Sequence, residues 1–446
     1  MIESLHDLAA VDRDVATVRS NLAKARGILA SGGTPHHPFE PLRYVSQQRT
    51  FDALRELPVS ALDAPLRDAL VTSVASLVLA RTGWALEEET STRANRVPDD
   101  EGGEAISYAE ALHRFQLSAD PRRLEAALET WVRRAVPVAA VNDERRARSF
   151  EVARLLGFDH PLGPMLPVPP RALSDAARSF LHRTSDLAQS IRKRTHRADG
   201  ISLPIATVLA AHAVEGADGW PKHVSGRFLE EAFSACSPDL NRVPVVTKAP
   251  VSPASFARSA EHAGVYLRES LTPRSLPFAL RSPPLHVDAW RWGSTFASCL
   301  ARETFHQRVL GAPKGRALDQ SRRVAEGLFW SLRIRAAELV CDLSAHVHPS
   351  EFEELTGLAF GASLPSALRG AWPSPGTERA PRFLGSLLAL EWERHLIERF
   401  DLDWFRNPRC GTFLRAQASG VGNPSETVDL MHHVGELTRH VEQVLA

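Results

Sequence analysis

The residues best suited to chemistry fall in one stretch, from His286 to His348. Within it, Arg302-Glu303-Thr304-Phe305-His306 sets a carboxylate and an imidazole three positions apart, neighbours on a helix surface. Glutamate and histidine so placed can hold a divalent metal and activate the water bound to it. That chemistry needs three protein ligands and a general base. The arrangement HExxH supplies two ligands and the base, and a further glutamate completes the set. Glu326 and Glu338 follow at separations where such a third ligand could stand. The chain contains neither HExxH nor HxxEH. In RETFH an arginine holds the first ligand position, and a permanently charged guanidinium repels zinc rather than binding it. An isolated ExxH arises by chance in a chain of this length, so Glu303, His306, Glu326 and Glu338 are remnants at most.

Other constellations are plainer. His346, His348, Glu351 and Glu354 in HVHPSEFEEL could form a surface metal site, but a helix start capped by Ser350 accounts for them more simply. His432, His433 and His440 sit on a polar terminal helix and read as solvated. Trp290 and Trp292 read as core. The sequence has no GxSxG elbow, phosphate-binding loop or GxGxxG turn.

The elements that must position these residues are helices. His286–Gly311 reads as one long helix and Val324–His348 as a second, joined by the loop APKGRALD. Residues 2–30 carry Leu8, Val11, Val15, Val18, Leu22, Ala25 and Leu29 in alternating steps of three and four. That stripe suits either a dimer seam or, more simply, a helix lying on its own bundle. Helical spacing continues over 51–84, and the acidic segment 86–107 reads as a loop. Further helices are expected at 106–117, 121–156, 171–198, 224–235, 255–268, 350–359 and 383–400, with a last one from Ser425. The segment RVPVVTKAPVSPAS alone suggests extended chain. The fold class is therefore all-α with at most a small strand element, in two parts, 1–198 and 199–446.

Composition excludes several functions. The 53 basic and 53 acidic residues cancel, which removes the electrostatic case for nucleic acid or an anionic membrane. Arginine outnumbers lysine 48 to 5 without forming an unbalanced cluster. The run RKRTHR reads as a solvated helix end. The N-terminus carries Glu3, Asp7, Asp12 and Asp14, unlike a secretory signal. The longest apolar run, Val71–Ala80, is far short of the roughly 20 residues that span a bilayer. Cys236, Cys299, Cys341 and Cys410 are widely spaced, as in a reduced cytoplasmic protein.

The C-terminal passage HLIERFDLDWFRNPRCGTFLRAQASG resembles the zinc endopeptidases typified by thimet oligopeptidase and oligoendopeptidase F. The matching features are Asp401 to Asp403, Trp404 and Phe405, Asn407 and Pro408, Gly411, Leu414 and Gly420. LFWSLRIRAAELVCDLSAHV is similar to the arginine-containing helix that follows the metal helix in these enzymes. Together the matches cover about the last 250 residues of the chain. The resemblance implies a two-lobed, zincin-like helical fold around a peptide channel, with zinc as cofactor. It also implies tyrosine and histidine beyond the metal helix to stabilise the oxyanion. Here the only tyrosines are Tyr44, Tyr108 and Tyr266. The matching helix APRFLGSLLALEWERHL has Phe, Leu and Trp in their place. Two separate parts of the mechanism are missing, so the expectation is an inactive peptidase-like protein, without cofactor, that binds a peptide or protein partner. The alternatives are a divergent zinc peptidase using His306, Glu326 or Glu338, and a helical subunit that self-assembles through residues 1–30.

Overall fold

The computed structural model describes residues 7–97, 106–117, 121–199, 232–234, 253–419 and 428–445. Most of the segment expected to be extended, and most of the expected helix 224–235, lie outside them. Among the described residues there is no strand, and the chain is a succession of helices.

Helix α1 (Leu8–Ala30) starts at Asp7, whose carboxylate accepts from the Ala10 N–H at 3.0 Å. Its stripe of Val11, Val15, Val18, Leu22, Ala25 and Leu29 is buried within the chain, against α3 (Ala64–Asn95) and the 3-10 segment Glu40–Ser46. The short α2 (Gln48–Glu56) closes this N-terminal core. Helix α3 runs about ten residues further than its apolar pattern suggests. The reason is tertiary: Glu87 is bridged by Arg26 of α1 at 2.7 Å and by Arg145 at 2.8 Å. By length and composition α3 could cross a membrane, yet its Leu70, Val74, Leu77 and Val78 are packed in this core.

Helices α4 (Tyr108–Leu117), α5 (Pro121–Leu155), α6 (Pro170–Arg183) and α7 (Ser185–Asp199) follow. The remaining elements are α8 (Pro253–Leu271), α9 (Phe278–Arg281), α10 (Val287–Ser298), α11 (Glu303–Arg308), α12 (Lys314–Asp342) and α13 (Pro349–Phe360). The chain closes with α14 (Arg379–Phe400), α15 (Pro408–Ala418) and α16 (Leu430–Leu445). The largest apolar cluster runs from Ile106 to Leu445 and joins α4–α6 to α12–α14 and α16, on both sides of position 198.

A second cluster fills the space between α8, α10 and the C-terminal aromatic pair, where Trp404 and Phe405 are fully buried. Asn407 caps α15, its side chain accepting from the Arg409 N–H at 3.0 Å, so the Asn-Pro turn is a helix start that covers the pair. Gly411 lies inside α15 rather than at its first residue.

Helix α1 also reaches the second half. Asp12, nearly buried, accepts from the backbone N–H groups of Phe278 and Ala279 at 2.6 and 2.7 Å, and so caps α9. Asp12→Ala removes both acceptors and is expected to cost about 2 kcal/mol in denaturant unfolding. An unchanged midpoint would mean that α9 is held by packing alone.

Candidate functional site

The centre of the second half is built on three helices whose backbones nearly touch. A Cβ on Gly264 of α8 would lie 2.8 Å from the Gly293 Cα of α10. One on Gly385 of α14 would lie 2.6 Å from the Trp290 carbonyl carbon. Only glycine permits such approach, and it brings the inward side chains of all three helices together.

At that junction stands Glu261 of α8, 2% exposed. Arg335 of α12 donates to both of its oxygens, each at 2.8 Å. Arg382 of α14 donates from Nε to Oε1 at 3.2 Å and from Nη2 to Oε2. Burial alone would raise the carboxyl pKa, but the two guanidinium groups outweigh it and hold it at about 2. Arg382 also lies over the Trp290 ring, 5.0 Å from its centroid. Arg379, at the start of α14, bridges Glu338 at 3.3 Å and Asp342 at 2.6 Å, both on α12. Both oxygens of Glu261 are thus taken by arginine, while Asp342 Oδ1 is buried without a hydrogen-bond partner, and burial raises the Asp342 pKa to about 6.

The segment His286–Gly311, expected as one long helix, is broken. Helix α10 ends at Ser298, a 3-10 turn covers Cys299–Ala301, and Arg302 is extended at φ −100° and ψ 134°. The cause is an ion pair across 91 residues: Arg302 Nε donates to Glu393 of α14 at 2.7 Å, with Glu393 2% exposed. Glu303 therefore begins a new short helix, where its carboxylate accepts from Gln307 Nε2 at 2.5 Å. The polar link expected after Gly311 is likewise shorter, since α12 begins at Lys314.

His306 is fully buried. Its Nε2 donates to the Leu300 carbonyl at 2.7 Å, and Nδ1 lies 3.3 Å from Gln320 Oε1. Burial depresses the imidazole pKa against these two contacts, and the ring pins the 3-10 turn to α12. Glu326 faces α7, 3.6 Å from Arg194, and Glu338 serves Arg379. The structure brings Glu303 and His306 to adjacent turns and sends Glu326 and Glu338 elsewhere. Among the described residues no three His, Cys, Asp or Glu side chains are placed to hold a metal. The donor set among the described residues does not fit a zinc centre.

In HVHPSEFEEL the helix cap is His348 itself. Its Nδ1 accepts from the Ser350 N–H, and Glu351 reaches back to the His348 N–H. Ser350 lies inside α13, and Glu351 also pairs with Arg178. Trp290 and Trp292 are core, at 8% and 0% exposed.

Beside the Arg302–Glu393 pair lies a cavity of about 410 Å³. Its walls are largely apolar, from Ala325, Leu328, Phe329 and Leu332 of α12 and from Leu437, Val441 and Val444 of α16. Its polar lining is Ser298, Arg302, Glu303, Thr304, Glu393 and His440. A smaller cavity of about 110 Å³ shares Glu393 and His440 and leads on to Glu261 and Arg335. His440, read from sequence as solvated, is half-buried here, and burial lowers its pKa. It belongs to the inner face of α16, three residues after Leu437 and four before Val444, a spacing that could have revealed it. Glu261 carries a similar signal, lying between Ala257 and Gly264 on the inner face of α8. Its arginine partners, 74 and 121 residues away, carry none.

No known family profile matches this chain, and no curated protein matches it. Solved structures do. A protein provisionally assigned as an oligoendopeptidase F, from Bacillus anthracis str. Ames, superposes with a TM-score of 0.56 at 11% identity, over 91% of this chain and 84% of that one. Oligoendopeptidase-F from Enterococcus faecium matches at a TM-score of 0.44 and 12% identity, over 98% of each chain. The first of these likenesses shows that the chain has the all-helical fold of oligoendopeptidase-type zinc peptidases.

Proposed function

We propose that this chain is a catalytically inactive peptidase-fold protein that binds a segment of peptide or protein in its interior cavity. One observation supports this above all. The carboxylates and the histidine nearest the centre are committed to protein partners, while a largely apolar cavity stands beside them. A peptidase centre needs ligands poised for a metal and a carboxylate free to accept a proton from water. Glu261, held between two guanidinium groups, is a poor base. His306 donates into a carbonyl.

The reading places the protein in the cytoplasm, on the strength of its reduced cysteines; Cys299, Cys341 and Cys410 are buried and unpaired. Elemental analysis of protein purified without chelator or histidine tag is expected to find almost no zinc. Peptide hydrolysis is expected to stay at background. Zinc near one atom per chain, with chelator-sensitive hydrolysis abolished by Glu303→Ala, would replace this reading by that of a divergent zinc peptidase.

A further inference from the structure

The larger cavity is uneven in its chemistry. Ala325, Leu328, Phe329, Leu332, Val441 and Val444 line it and offer no hydrogen bond from their side chains. A few polar groups stand among them. Arg302 and Glu393 are paired at 2.7 Å, Glu303 and Thr304 follow Arg302 directly in the chain, and His440 feels the charges of both partners of the pair. Thr304 Oγ1 is buried without a hydrogen-bond partner.

Among the ionisable groups lining the cavity, two carboxylates face one guanidinium, and the imidazole of His440 is held towards its neutral form by burial. The balance is negative, so a carboxylate or phosphate head is disfavoured and a cation is welcome. An ammonium group carries three donors, enough for Glu303 and Glu393 together.

We propose that the cavity receives the apolar first residue of a peptide with a free amino terminus, its side chain against α12 and α16 and its ammonium between Glu303 and Glu393. The proposal rests on the peptide-binding reading above and names the part of the peptide that is recognised. It also explains the cavity's proportions: the space suits one large apolar side chain and a stretch of backbone, with the smaller cavity as the way onward.

Calorimetric titration of the full chain with leucyl-leucine amide, its N-acetylated form and n-hexylamine tests it. The free dipeptide amide is expected to bind, and the acetylated form to bind at least about tenfold more weakly, because it lacks the charge. Ala325→Phe, which fills the cavity, is expected to abolish binding while the melting temperature is monitored. Glu303→Gln, at a partly exposed position that leaves the walls intact, is expected to weaken the free form several-fold and the acetylated form hardly at all.

Equal binding of the free and acetylated peptides would overturn the amino-terminal assignment and leave peptide binding standing. Binding of hexylamine without either peptide would overturn the peptide reading itself. Binding of none of the three, by folded protein, would overturn both.

Discussion

Glu261→Gln is expected to destabilise the protein by about 3–5 kcal/mol, the usual cost of removing one partner from a buried ion pair. The amide keeps the shape of the side chain but leaves Arg335 and Arg382 facing each other without a counter-charge. Chemical denaturation followed by circular dichroism reads the effect. A companion variant separates charge from packing. Replacing Glu261, Arg335 and Arg382 together by Leu, Met and Leu removes every charge of the cluster and is expected to cost far less than the single change. If the triple variant falls as far as Glu261→Gln, the cluster holds the helices by geometry rather than by charge balance.

The same cluster sets an acid limit. The folded-state pKa of Glu261, about 2, lies below its ordinary value of 4.5. Its stabilisation is therefore complete above pH 4.5 and is lost as pH falls from 4.5 towards 2. In Glu261→Gln that part of the acid-induced loss is expected to vanish.

The second large effect is steric and has two signs. Gly293→Ala would place a methyl group 2.6 Å from the Glu261 carbonyl oxygen and 2.8 Å from Val265 Cγ2. Backbone cannot yield there as a flexible side chain can, so α8 and α10 must part. Overpacking of this kind costs roughly 1–3 kcal/mol or more, beyond the gain of about 1 kcal/mol that alanine brings to a helix. A net loss of about 2 kcal/mol is expected. Gly83→Ala, inside α3 with nothing within 4 Å of the new methyl, is expected to gain about 0.5–1 kcal/mol instead. Thermal melts of the two variants decide it. A stabilised Gly293→Ala would mean that the three-helix junction is looser than its backbone distances imply.

The helices were readable because burial imposes a period. The stripe of α1 and the apolar run of α14 announce themselves through spacing alone, and so does the Asn-Pro turn with its buried aromatic pair. What could not be read is what depends on partners distant in sequence. CLARETFHQ keeps a helical pattern throughout, and nothing local reveals the break at Arg302, because Glu393 lies 91 residues away. The same holds for the last turns of α3, whose acidic residues look solvated until Arg26 and Arg145 are placed beside Glu87.

The site was legible in one sense only. That the chain has no HExxH is a matter of letters, whereas a glutamate held between two arginines exists only once three helices meet. A polar face also misleads: His440 and His433 fall in line with Leu437, and both are partly buried, whereas His432 is exposed.

The capping of α9 by Asp12 has a consequence for how the chain is made. The two partners are 266 residues apart. At a synthesis rate of about 5–20 residues per second, Asp12 leaves the ribosome roughly 13–50 s before the amide it will hold. The N-terminal helices can gather around their own apolar stripe in that interval. Phe278 and Ala279 then arrive at a carboxylate already in place. The anchor of α9 is thus made well before the helix that it holds.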